Sequence, residues 1–153
     1  MRKVAVLTAL IALVALSGGQ ADASLAEGGA TLRDQLSVRD AWVAEALPGQ
    51  SMTAAYMIIA NEGDVDEELL SVESEVAERV ELHKIEQQGE MMRMQKVGSI
   101  MVAPGQEVEL KPGALHVMLI GLTREIKEGD TVEFKLTFES GASLTVSAPV
   151  KKR

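Results

Sequence analysis

Val132-Glu133-Phe134-Lys135-Leu136-Thr137-Phe138-Glu139 alternates apolar and polar residues without a break. It turns through Ser140-Gly141-Ala142 and alternates again in Ser143-Leu144-Thr145-Val146-Ser147-Ala148. A period of two puts one side-chain set against a core and the other in water, as in antiparallel sheets. The rest of the chain reads the same way. Short runs at Leu36 to Val43, Thr53 to Asn61, Glu68 to Glu73, Val80 to Glu86, Met91 to Val97, Val108 to Leu110 and His116 to Leu122 recur at the spacing of a sandwich or barrel. Leu47-Pro48-Gly49-Gln50 and Gln87-Gln88-Gly89-Glu90 lie between runs as turns, the second a four-residue hairpin connection. Helix-favouring composition is confined to Asp64 to Arg79, where one short helical turn is expected near Glu75 to Glu78. Lys151-Lys152-Arg153 reads as a solvated tail.

Upstream of the strands lies an address. Arg2 and Lys3 precede a 13-residue apolar run, Val4 to Leu16, and Ala21-Asp22-Ala23 has the small-x-small form of a cleavage site. This is a secretory signal peptide, residues 1–23, followed by a flexible lead, 24–35, and one domain, 36–153. Loss of Arg2, Lys3 and Asp22, a net +1, takes the formal charge from −8 to −9. Such a charge, with 3% aromatics, argues against nucleic-acid binding, which needs a positive surface. The chain has no cysteine, which removes disulfides, thiolate zinc sites, iron–sulfur clusters, cysteine nucleophiles and a thiol for lipid attachment.

Eight methionines stand against two histidines. His116-Val117-Met118 places an imidazole and a thioether on one side of a strand, about 7 Å apart. His83 shares a strand face with Glu81, and Met92 and Met94 share a face on the next strand of the hairpin, whose register is open. Imidazole with thioether is a soft donor set that selects Cu(I), whereas Mg²⁺ and Ca²⁺ want oxygen. Structural roles compete with this reading. A strand methionine commonly fills a core, the role expected for Met52, Met57 and Met101, and a histidine on a β-face is commonly structural.

The spacing His83-x10-Met94-x21-His116-x-Met118 resembles that of the periplasmic Cu(A) copper chaperone family, PCuAC, and the likeness extends over nearly all of the exported chain. Asp40-Ala41-Trp42, Ala54-Ala55-Tyr56-Met57, Leu110-Lys111-Pro112-Gly113, Gly121-Leu122 and Gly129-Asp130 carry it further. Lys84 departs from the family pattern and adds a positive charge beside the site. The resemblance implies an all-β, Greek-key, cupredoxin-like (immunoglobulin-like) β-sandwich, mostly antiparallel. It implies one Cu(I) held by His83, Met94, His116 and Met118; Met92, which alternation places on the face of Met94, is a candidate accessory sulfur. It also implies delivery towards the Cu(A) centre of cytochrome c oxidase subunit II, or another copper acceptor, in the periplasm. Action alone and action with a thioredoxin-like copper assembly protein both remain open, and the chain itself is expected to be a monomer.

Three function classes follow: a metallochaperone, an exported β-sandwich interaction module in which the Met/His group is packing, and an enzyme. The last is weakest, since only His83 or His116 could serve a catalytic triad and no G-x-S-x-G is present. Within the first class, oxidase assembly and general copper storage or tolerance both remain. Folding is expected to survive Met118→Ala, His116→Ala, Met94→Ala and the double change Met92→Ala/Met94→Ala, on the reading that these positions are exposed or half-exposed.

Overall fold

In the computed structural model, which describes residues 35–152, the opening stretch becomes a strand with every apolar member buried. Val132, Phe134, Leu136 and Phe138 are at most 1% exposed. The ten strands are β1 (Leu36–Ala44), β2 (Met52–Asn61), β3 (Glu67–Glu73), β4 (Ala77–Gln88), β5 (Met91–Lys96), β6 (Ile100–Val102), β7 (Glu107–Leu110), β8 (His116–Leu122), β9 (Thr131–Phe138) and β10 (Ser143–Lys151). The signal peptide, the lead up to residue 34 and Arg153 lie outside the described residues.

The β9–β10 hairpin pairs from Ser143 with Thr137 to Pro149 with Thr131. Its turn needs Gly141, whose φ of 85° an L side chain rarely adopts. β10 then lies parallel to β1, with Val43 opposite Val150. That parallel pair joins two antiparallel sets into one ladder, β5-β4-β8-β2-β1-β10-β9-β3-β6, with β7 paired to β2. One buried cluster draws Val43, Met57, Ile59 and Leu119 from the first set together with Leu69, Val102, Phe134 and Phe138 from the second. The fold is therefore the expected mostly antiparallel β-sandwich.

Three expectations fail for identifiable reasons. Glu75 and Val76 form a turn and no helix, because Ala77 already pairs with Leu122 of β8; long-range pairing overrides weak local propensity. Met57 is core, but Met52 and Met101 are 50% and 53% exposed. Met52 sits on the outer face of β2, and Met101 lies in the short edge strand β6 between the inward Ile100 and Val102. Lys151 belongs to β10, although it is exposed as a tail residue would be.

One irregularity reaches towards the function. In β1, Leu36 and Val38 contribute to the core, then Ala41 and Val43 do so, a switch from even to odd positions. The register against β2 shifts between Arg39 and Trp42, so that two residues, Asp40 and Ala41, face the single Met57 between Ile58 and Tyr56. Asp40 absorbs the extra residue at φ 53°. This β-bulge turns Trp42 and Ala44 away from the core and sets Trp42 opposite Tyr56, ring centroids 4.6 Å apart. Asp tolerates left-handed backbone better than β-branched residues do. Asp40→Gly should accordingly melt at or above the parent, whereas Asp40→Val should lose about 1–2 kcal/mol in denaturant unfolding.

Candidate metal centre

Parity decides which side chains meet. β8 sends Val117 and Leu119 into the core, so His116, Met118 and Ile120 take the other face. On the β4–β8 ladder His83 stands opposite His116 and Glu81 opposite Met118. On the β4–β5 ladder Lys96 stands opposite His83, Met94 opposite Ile85 and Met92 opposite Gln87. Directly paired residues share a face, so both histidines, Met92, Met94, Met118, Glu81 and Lys96 lie together on three adjacent strands. The imidazole centroids are 5.9 Å apart. Met94 is thus one diagonal step from His83, and Met92 lies a further step towards the hairpin end.

A cavity of about 500 Å³ opens on this face, lined by Met94, His116 and Met118 together with Trp42, Tyr56 and Pro112. Tyr56 and Ala54 form a small buried cluster with Ala44, against which Trp42 and Met118 pack. His83 does not line the cavity; its ring borders it from beside His116. A larger cavity, about 810 Å³, lies along β3 and β9 among Glu73, Arg124, Glu133 and Lys135, without imidazole or sulfur in its lining.

The hydrogen bonds assign a state to each ring. His116 Nδ1 donates to the Ala114 carbonyl at 3.0 Å, which leaves Nε2 of the neutral ring with a free lone pair. His83 Nε2 donates to Glu81 Oε2 at 2.9 Å. Its Nδ1 is buried and has no hydrogen-bond partner. An unpaired buried polar atom costs about 1–3 kcal/mol, which a bound cation would offset. Lys96 Nζ donates to the other Glu81 oxygen at 3.0 Å, and Arg79 approaches it at 3.6 Å. The bonds from His83 and then Lys96 hold the Glu81 carboxyl below the usual carboxylate range. The face therefore presents two imidazole lone pairs and three thioethers, those of Met92, Met94 and Met118. Imidazole and thioether are soft donors; among the described residues, no group of three or more His, Asp or Glu side chains is placed to hold a metal.

Four placements differ from or extend the sequence reading. Lys84 points to the opposite face of β4, paired with Glu86, so it adds no charge at the site. The cation beside the site is Lys96, which the unfixed hairpin register concealed. Glu81 was legible only as a face-mate of His83, and its hydrogen bond needed the folded strand. His116 is 3% exposed, so it is not the half-exposed position expected; Met94, at 47%, is.

Residues 36–150 match the family model described as "Putative lipoprotein LpqE-like". The chain belongs to this PCuAC-type family. A further relative of this LpqE-like chain, from Leifsonia xyli subsp. xyli and described as "Putative lipoprotein Lxx21020", is 31% identical over 119 residues, covering 77% of this chain and 70% of the relative. In structure the LpqE-like domain is similar to the copper-bound PCuAC domain from PmoF2, with TM-score 0.68 and 24% identity over 78% of this chain and 94% of that one. It is also similar to the solution structure of CuI-DR1885 from Deinococcus radiodurans, with TM-score 0.61 and 35% identity over 74% and 76% of the two chains.

Two outcomes follow for the LpqE-like domain without metal. His116→Ala removes a buried, hydrogen-bonded ring and should cost about 1–3 kcal/mol in urea unfolding, while the exposed Met94→Ala should stay within about 0.5 kcal/mol of the parent. The folded Glu81 carboxyl titrates below its ordinary value of 4.5, so its contribution is present above that value and lost as pH falls through the lower, folded one. Glu81→Gln should melt below the parent at neutral pH, and the gap should close on acidification below about pH 4.

Proposed function

We propose that this chain is an exported metallochaperone that holds one Cu(I) through His83, Met94, His116 and Met118. Copper is its cargo, and the periplasm its place of work. The acceptor in this reading is the Cu(A) centre of cytochrome c oxidase subunit II, with a thioredoxin-like protein keeping the acceptor cysteines reduced. The chain acts as a monomer. In this reading the chain is a carrier of its cargo and not an enzyme.

The observation that carries the reading is the buried, unpartnered Nδ1 of His83, across the ladder from His116 and on the same face as three thioethers. A ring nitrogen without a donor to meet suits a cation, and thioether sulfur selects Cu(I) over harder ions. All four ligands are uncharged when bound, so the centre carries only the ion's own charge. Thioethers hold Cu(I) less tightly than thiolates would, which suits a carrier that releases its load. A blue-copper electron-transfer role needs a His₂Cys centre, and the chain has no cysteine. A methionine site also has no thiol to lose to disulfide formation outside the cytoplasm. The 35% identical Deinococcus radiodurans protein in its CuI form supports the cargo. The lipoprotein names of the family and the Leifsonia relative support export, in keeping with the signal peptide expected from residues 1–23.

Anaerobic titration should give saturable binding of one Cu(I), with no response to Mg²⁺ or Ca²⁺. The single Trp42 lines the same cavity as Met118 and gives a fluorescence readout. Met118→Ala and His116→Ala should weaken binding more than Met94→Ala, because Met92 shares the face of Met94 and has a flexible three-torsion side chain. The double change Met92→Ala/Met94→Ala should then behave like Met118→Ala. Abolition of binding by Met94→Ala alone would show that Met92 cannot substitute. Absence of saturable Cu(I) binding by the parent would overturn the metallochaperone reading.

A further inference from the structure

We propose that Glu81 is the positioning residue of the centre: its carboxylate locks the His83 ring so that the two histidines bind Cu(I) through unlike nitrogens, Nδ1 of His83 and Nε2 of His116. The proposal rests on the Cu(I) reading above and deepens it.

Both Glu81 oxygens are already committed, Oε2 to the His83 Nε2 proton and Oε1 to Lys96. The carboxylate is therefore a holder of the ligand and not a ligand itself. Its side chain is only 16% exposed, and that of His83 15%, so water competes poorly for the bond between them. With Nε2 occupied, the one lone pair left on the ring is that of the buried, unpartnered Nδ1. The opposite choice is imposed on His116, whose Nδ1 proton goes to the Ala114 carbonyl just ahead of β8. One ring is thus held by a side chain on its own strand and the other by the preceding turn. Lys96 stands directly across from His83 in the β4–β5 register, so the hairpin strand that carries Met94 also fixes the carboxylate. Metal-bound histidines are commonly oriented in this way by a partner on the second nitrogen, and loss of that partner typically weakens binding by about 10- to 100-fold.

The test uses the full exported chain with Glu81→Gln, which keeps an acceptor oxygen, and Glu81→Leu, which has none. Cu(I) is diamagnetic, so ¹⁵N ring shifts can be read with and without the ion. In the parent, Cu(I) should shift Nδ1 of His83 and Nε2 of His116 while the other nitrogen of each ring stays protonated. Glu81→Leu should weaken Cu(I) binding by about 10- to 100-fold, and Glu81→Gln should stay within about threefold of the parent. Thermal melting of both metal-free variants separates a folding defect from a lost lock, because a purely structural Glu81 would move melting without changing which nitrogen is metallated. Cu(I) on Nε2 of His83, or unchanged affinity in a folded Glu81→Leu, overturns the proposal. Failure of the parent to bind Cu(I) at all instead overturns the metallochaperone reading, and the metal-free ring protonation states are measurable in either case.

Discussion

The pairing of β4 with β8 is the constraint on which the candidate centre depends. Side chains on a strand alternate faces, so a slip of one residue would turn an entire set to the wrong side. With Leu82 opposite Val117, two buried residues meet over the core; their sequence neighbours, His83 and His116, then have to meet on the other face. Hydrophobic burial on one side of the sheet thereby sets the imidazole geometry on the other. No separate folding energy is needed to assemble the ligands, because the same register satisfies both faces.

The second requirement is that a polar face survive near an apolar one without stranded groups. Glu81 meets it by accepting from His83 and Lys96 at once. His116 meets it through the Ala114 carbonyl. Among the described residues, the one fully buried side-chain nitrogen or oxygen left without a partner is Nδ1 of His83. Buried polar groups in folded proteins are almost always paired, so a single exception beside a second imidazole and two thioethers points to where a cation would sit. The thioethers themselves need no partner, which lets Met118 pack against the Tyr56 cluster as an ordinary apolar side chain.

Much of this was legible in the residues because it rests on period-two patterning. The β9–β10 hairpin, the strand containing His116 and Met118, and the facing of His83 with Glu81 all follow from alternation alone. Contacts between strands distant in sequence were not legible. Lys96 lies opposite His83 only because the β4–β5 turn sets that register, and the composition of Gln87 to Glu90 allows others. Burial of His116 depends on neighbours from β2 and β4 that no local window contains. The three-residue β6 is too short to show a period. The Asp40 bulge was hidden for a different reason: the left-handed position is filled by aspartate, where glycine would have signalled it.

That bulge ties the far side of the sheet to the centre. Without the extra residue, Ala41 would face Tyr56 and Trp42 would point towards the core. With it, Trp42 packs at a tilt against Tyr56 and walls the cavity beside Met118. The four candidate ligands consequently differ in how firmly they are held. His116 and Met118 sit mid-sheet, flanked by β2 and β4 and backed by the Trp42–Tyr56 pair. His83 is fixed through Glu81. Met94 lies on β5, an edge strand whose six residues are all exposed. Edge strands with few buried contacts belong to the least stable part of a fold. Met94 is 47% exposed, whereas the rings of His83 and His116 are held by hydrogen bonds and Met118 packs against the Tyr56 cluster. Of the four candidate ligands, Met94 is therefore the least constrained by the fold.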